Sequence, residues 1–166
     1  MHLYWSEFVT LIATPFEHVA LIWGIVPLYS GWFLNESTSS KANYRTAIQS
    51  GVSFLWAGAQ WLYPYFLKHG PHEGRLVVHA MLPVNLAVTG LVLVLGAIAL
   101  ISGLRKRFPK YGSFLGHTRF ANYFMITIYP IQAHWLPWTW LRLETIALFA
   151  IPVWLVMYLG FMPLRK

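Results

Sequence analysis

Long apolar runs separated by short polar segments are the dominant pattern of this chain. A helix needs about 20 apolar residues to cross the roughly 30 Å hydrocarbon core of a bilayer. Five stretches approach this length, near residues 15–34, 46–67, 79–104, 117–136 and 140–162. The pattern predicts an all-α, polytopic integral membrane protein in which residues 1–166 form a single bundle of about five transmembrane helices.

The five stretches differ in how purely apolar they are. The third contains LPVNLAVTGLVLVLGAIALISGL, which carries no charge over its whole length. The fourth, HTRFANYFMITIYPIQAHWLP, contains His117, Arg119, Asn122, Gln132 and His134. Polar side chains are costly in hydrocarbon unless they face protein or water. The fourth stretch is therefore either a span with a polar lining or a partly re-entrant segment.

The first span is predicted to begin at the tetrapeptide TPFE. Thr14 is a suitable N-cap residue, Pro15 fits the first helical position, and Glu17 is placed to complete a capping box. The preceding residues, WSEFVTLIA, are predicted to form a short segment at the membrane interface.

The composition supports the membrane class and excludes several kinds of chemistry. Hydrophobic residues make up 57% of the chain and charged residues 10%, against about 25% charged in soluble domains. The chain contains no cysteine, which excludes disulfides, thiolate metal ligands and iron–sulfur clusters. All five acidic residues are glutamates, which excludes mechanisms that need an aspartate pair.

The basic residues divide unequally between the two sides of a five-span bundle. Cytoplasmic loops retain an excess of Lys and Arg. Three of the twelve basic residues, Lys68, Arg75 and Arg142, fall on one side and the other nine on the opposite side. The asymmetry predicts an N-terminus outside and a cytoplasmic C-terminus. The net charge of +7 then reflects topology and attraction to anionic lipid, and no nucleic-acid partner is expected.

Histidine and glutamate cluster in the segment HGPHEGRLVVHA. His69, His72, Glu73 and His79 are enough in number to bind a Cu or Zn ion, because imidazole and carboxylate serve these metals when thiolate is absent. Their spacing matches no helix-borne metal motif, and Gly70 with Pro71 indicates a turn. The favoured interpretation is a solvated polar turn, with a metal site as the alternative.

Two histidines are predicted to lie within the membrane, near its outer face. His18 lies about one turn into the first span, and His134 about one turn before the end of the fourth. On facing helices, this pair would be a candidate cofactor site for haem b. The alternative, favoured on general grounds, is that each imidazole bonds a backbone carbonyl or a neighbouring glutamate.

A polar stripe follows one face of the fourth stretch. At 100° per residue, Arg119, Tyr123 and Thr127 lie on one side of the helix with Asn122 beside them. Small residues line comparable faces elsewhere, and Gly24 and Gly96 are predicted to lie in helix–helix contacts. The stripe indicates a bundle joined by hydrogen bonds, with a path for a proton or small solute as the alternative.

The C-terminal segment resembles the last two helices of the membrane acyltransferase-3 group. The resemblance lies in FLGHTRFANYFMITIYPI and WLRLETIALFAIPVWLVMYLGFMPLRK, about 50 residues. The helix in which that family carries its catalytic histidine beside an arginine is not found here, and five spans are fewer than the family has. No acyltransferase activity is therefore expected.

The sequence favours a small non-catalytic accessory or scaffold subunit of a larger membrane complex. Its expected partners are the lipid bilayer and other membrane subunits. The alternatives are an outer-face protein binding haem or metal, and a membrane enzyme or carrier acting on a lipid or small solute.

The predicted topology can be tested by cysteine labelling in intact cells. A cysteine replacing His72 should react with an impermeant maleimide added outside, whereas one replacing Lys110 should be protected until the membrane is opened. The reverse pattern would show that the orientation is opposite to the predicted one. Equal labelling of both sites would show that no span separates them.

Overall fold

The computed structural model describes residues 2–38, 44–66, 82–106 and 119–164, and these residues are helical with short connecting turns and no strand. The helices are α1 (His2–Glu17), α2 (Val19–Thr38), α3 (Tyr44–Phe66), α4 (Leu82–Leu104), α5 (Arg119–Gln132) and α6 (Trp140–Gly160). A short 3-10 turn, Met162–Leu164, follows α6. The all-α prediction is confirmed for this part of the chain.

Two of the described helices are long and apolar enough to cross a membrane. They are α4, from Pro83 to Leu104, and α6. The α1 and α2 helices, which meet at a bend of 110°, pass the same test together as one broken span, so the number rises to at most three. Although α3 has 23 residues, its composition is less apolar. The 14 residues of α5 reach only about 21 Å, since a helix rises about 1.5 Å per residue.

The start of the first predicted span is wrong. Thr14 and Pro15 lie near the end of α1, where both are buried. The Thr14 hydroxyl donates to the Thr10 carbonyl at 2.7 Å and does not cap a following helix. The helical break falls at His18 instead. A Thr-Pro pair suits the start of a helix, but packing of α1 against α5 and α6 keeps the preceding turns helical and overrides the local signal.

The most extensive helix pairing joins α3 and α4. A Cβ atom on Gly51 would lie 2.6 Å from the backbone nitrogen of Leu100, and one on Gly103 would lie 2.9 Å from the Tyr44 carbonyl oxygen. Gly96 faces Gly51 and Leu55 from the other side. The two backbones therefore touch, as small residues allow in membrane helix pairs.

The α2 helix packs between α3 and α5. Gly24 lies directly under the Tyr129 phenol, whose oxygen would overlap any side chain at that position. Gly31 faces the Ser53 hydroxyl, which itself donates to the Pro27 carbonyl at 3.1 Å. The predicted contacts of Gly24 and Gly96 are both confirmed.

Polar and aromatic contacts attach α1 to the beginning of α6. Arg142 Nε donates to Glu7 Oε2 at 3.1 Å in an ion pair. The Tyr4 hydroxyl donates to Glu144 Oε2 at 3.0 Å. Phe8 stacks on Phe149 with ring centroids 4.4 Å apart. These contacts hold α1 across the N-terminal half of α6.

Because α3 and α4 lie so close together, adding a single methyl group at Gly51 should destabilise the chain. Gly51→Ala should lower the stability of the chain by about 1–3 kcal/mol, because overpacking forces backbones or side chains apart. Gly90→Ala is the matched control, since a Cβ there has nothing within 4 Å, and it should be neutral or gain up to about 1 kcal/mol of helix propensity. Thermal unfolding in detergent measures both, and equal melting temperatures would contradict the close approach.

Candidate functional site

Two interruptions of helical structure contact each other near one end of the bundle. The first is at His18, between α1 and α2, and the second covers residues 133–139, between α5 and α6. The His18 imidazole stacks on the Trp135 indole, with ring centroids 3.8 Å apart and planes at 25°. We call this region the helix-break junction. Non-helical backbone at membrane depth is tolerated only where protein or a water-filled cavity surrounds it.

His134, two residues beyond the end of α5, adopts an unusual backbone conformation. Its φ angle is 64°, in the left-handed region that usually contains glycine at a helix end. The carbonyl oxygen of Pro130 accepts from the amides of Trp135 at 3.0 Å and Leu136 at 3.1 Å. A non-glycine residue pays about 1–2 kcal/mol for this conformation. His134 is also buried, since only 5% of it is exposed.

Asn85 of α4 connects the junction to the rest of the bundle. The Trp138 indole N–H donates to Asn85 Oδ1 at 2.7 Å. Asn85 Nδ2 lies 3.4 Å from His134 Nδ1. An indole N–H can only donate, so it fixes Oδ1 as the acceptor and leaves Nδ2 as the donor toward His134. His134 Nδ1 can accept from this amide when the ring proton is on Nε2.

Further polar side chains surround this connection. Thr89 donates to Gln132 Oε1 at a long 3.5 Å, and the Tyr65 ring lies edge-on to the His134 ring at 5.3 Å. The Gln132 amide nitrogen and the Trp135 indole nitrogen are buried with no hydrogen-bond partner among the described residues. Buried donors left without an acceptor are costly. The junction is thus rich in donors and suited to acceptor oxygens.

The two histidines of the haem hypothesis lie at this junction, but neither lies within a helix as predicted. His18 occupies the break before α2, and His134 lies two residues beyond the end of α5. A metal-bound histidine commonly coordinates through one nitrogen and donates from the other. Here His134 Nδ1 accepts from Asn85, so ligation through Nε2 would require that bond to reverse.

The segment with the proposed Cu or Zn ligands, His69, His72, Glu73 and His79, lies outside the described residues. Within the described ranges, no three His, Cys, Asp or Glu side chains lie close enough to hold a metal ion.

The polar stripe of α5 lies in the protein interior where its side chains are described. Asn122, Tyr123 and Thr127 are each at most 2% exposed. The Tyr123 hydroxyl donates to the Ile146 carbonyl of α6 at 2.8 Å, whereas the Thr127 hydroxyl bonds back to the Tyr123 carbonyl of its own helix at 3.0 Å. Arg119 begins α5, and its side chain is outside the description. Within the stripe, Tyr123 therefore joins α5 to α6.

Asn85 and Trp138 were not predicted as site residues. A signal for Asn85 was present, since it is the single amide side chain in the uncharged third stretch, and an isolated polar residue in such a run usually has a partner in the bundle. Trp138 gave no comparable signal, because it is one of nine tryptophans that interfacial enrichment already explains.

No protein-family model, curated protein or solved structure matches this chain. The resemblance of its C-terminal segment to the acyltransferase-3 group therefore gains no support from a family match.

Replacing Asn85 tests the junction. Asn85→Ala leaves the Trp138 indole N–H buried without its acceptor and removes the His134 contact, so we expect a loss of about 1–3 kcal/mol in unfolding free energy. Gln49→Ala is the control, because its amide makes only a long, exposed 3.4 Å bond to the Ser30 carbonyl, and it should stay within about 0.5 kcal/mol of the parent. Similar thermal shifts for the two variants would show that the Asn85 contacts do not stabilise the junction.

Proposed function

We propose that this chain is a non-catalytic accessory or scaffold subunit of a larger membrane complex, with five spans, an outer N-terminus and a cytoplasmic C-terminus. The observation that carries the proposal is the outward face of α6. Beyond Glu144 the exposed residues of this face are apolar, and specific contacts within the chain hold it in a fixed orientation. A fixed apolar face inside a bilayer is the kind of surface against which another membrane helix packs.

The α6 helix is the less enclosed of the two individual candidate spans. In its most apolar window, 17% is buried, against 28% in that of α4. Large apolar side chains extend outward along the helix, and three of them, Trp140, Ile151 and Val156, are at least 67% exposed. Lipid can cover such a surface, and so can the helix of a partner.

The opposite face of α6 is attached by directional contacts. Arg142 pairs with Glu7 of α1, and the Ile146 carbonyl accepts from Tyr123 of α5. The Trp154 ring stacks on the Phe120 ring of α5, with centroids 6.2 Å apart. These bonds oppose rotation of α6 about its own axis, so its outward residues keep one presentation. A fixed orientation of these residues favours recognition of a partner helix. Fluid lipid covers an apolar surface whatever its orientation.

The internal polar groups also support a structural role. The described hydrogen bonds of Asn85, Tyr123 and Trp138 each connect a helix with another helix or with the segment between α5 and α6. Interhelical bonds of this kind contribute about 0.6–2 kcal/mol each in membrane proteins. They position helices, which is what a scaffold requires.

The proposal predicts a stable complex in the native membrane. Gentle extraction followed by native mass spectrometry should find the chain with at least one other membrane subunit. Ile151→Trp should release the partner while leaving the melting temperature of the isolated chain unchanged, because the position points away from the chain's own core. Leu91→Trp on α4, at a similarly exposed residue, is the control and should leave the complex intact.

Two results would contradict the scaffold role. The first is a chain that stays alone after gentle extraction at every detergent concentration. The second is a Soret band in the same preparation that disappears in His134→Ala, which would support the haem-binding alternative instead.

A further inference from the structure

A groove of about 560 Å³ opens between α2, α3 and α5. Its volume lies within the range of about 300–1,000 Å³ that ligand pockets occupy. The lining combines aromatic and small residues of α2 and α3 with the end of α5, and it includes Trp23, Trp56, Gln60, Tyr63 and Tyr129. The groove adjoins the helix-break junction, since Ala133 lies in its wall.

The groove lies near one end of the bundle, at interfacial depth. Its α3 residues, 56–63, precede the end of that helix by three to ten positions, or about 5–15 Å at 1.5 Å per residue. Its α2 residues fall within the first turns of α2. The neighbouring residue His134 contacts Asn85 in the first turn of the candidate span α4. Tryptophan and tyrosine are enriched at this depth in membrane proteins.

Polar and apolar parts of the groove are arranged along the helix axes. The Gln60 amide and the Tyr63 side chain lie toward the end of α3, while Trp23 and Trp56 lie deeper. The Trp56 indole is held by its bond to the Trp23 carbonyl at 2.8 Å. One turn further inward on the same faces, Val26 and Val52 are exposed by 51% and 50%. An apolar track on the outer surface therefore leads from the groove toward the middle of α2 and α3.

We infer that this groove binds one membrane glycerolipid. The amide of Gln60 donates to an ester carbonyl of the lipid, and an acyl chain lies over Trp23 and Trp56 and continues along Val26 and Val52. This order of polar and apolar contacts matches the order of ester groups and acyl chain in a glycerolipid.

The groove recognises the ester region of the lipid and not the charge of its headgroup. None of the residues that line it carries a charge. Binding should therefore differ little between zwitterionic and anionic glycerolipids. This site is independent of the α6 face on which the proposed subunit role rests, and either can fail without the other.

Photolabelling in vesicles tests the inference with the full-length chain. The protein is reconstituted in phosphatidylcholine containing a trace of phosphatidylcholine with a diazirine in one acyl chain. After illumination, mass spectrometry locates the labelled residues. We expect the label to concentrate on α2 residues 20–26 and α3 residues 52–63.

Two variants and one control make the result specific. Ala20→Phe fills the groove from an exposed position in its lining and should reduce labelling there about tenfold, equivalent to the loss of about 1.4 kcal/mol of binding free energy. Gln60→Leu should reduce it about two- to tenfold, the effect of one lost hydrogen bond. Ala87→Phe, at an exposed alanine of α4, should leave it unchanged.

Several outcomes would overturn the inference. Label spread over all exposed helix faces, or label on the groove that Ala20→Phe does not reduce, would mean bulk lipid contact only. A covalent dimer joined through α2 and α3 would make a second copy of the chain the occupant. A preference above tenfold for phosphatidylglycerol over phosphatidylcholine probes would assign recognition to headgroup charge.

Discussion

The organisation of this chain depends on one constraint, that polar groups shielded from water must find their partners inside the protein. At the helix-break junction, two non-helical segments lie against each other through His18 and Trp135. The carbonyl of Pro130 serves two amides beyond the end of α5, and Asn85 connects Trp138 with His134. The Pro130 carbonyl thus satisfies backbone amides beyond the end of α5, and Asn85 satisfies the indole N–H of Trp138. The junction is consequently both the most irregular part of the described chain and the part that joins the most elements.

Uniform helices were predictable from sequence, and their interruptions were not. The runs near 46–67, 79–104 and 140–162 correspond closely to α3, α4 and α6, because long apolar segments leave little alternative to a helix. The Thr14–Pro15 pair led to a wrong helix start. Its local chemistry fits the first turn of a helix, but tertiary packing places it in the last turns of α1. The end of α5 was equally hidden, because a histidine occupies the left-handed position where a glycine would have marked the stop.

The site was predictable in part for a related physical reason. An ionisable side chain in an apolar run is costly, so His18 and His134 stand out in the sequence, and both lie at the junction. The partners that fix them do not stand out. Asn85 and Trp138 come from segments 49 and four residues away from His134 in the chain, and only folding brings their donors and acceptors together. Sequence could therefore identify the imidazoles but not the Asn85 amide that contacts His134.

The contact between the α3 and α4 backbones bears on how the chain enters a bilayer. Taken alone, α3 is not apolar enough to be a candidate span, and its Ser50 and Ser53 would meet lipid directly. Packed against α2 and α4, both serine side chains are buried, while the outer residues of α4 remain apolar. The free-energy cost of placing the polar side chains of α3 in hydrocarbon is thus removed only when α2 and α4 are packed against it. Such a helix would partition into the membrane as half of a hairpin, and the order of synthesis would then require α3 to wait at the translocon until α4 emerges.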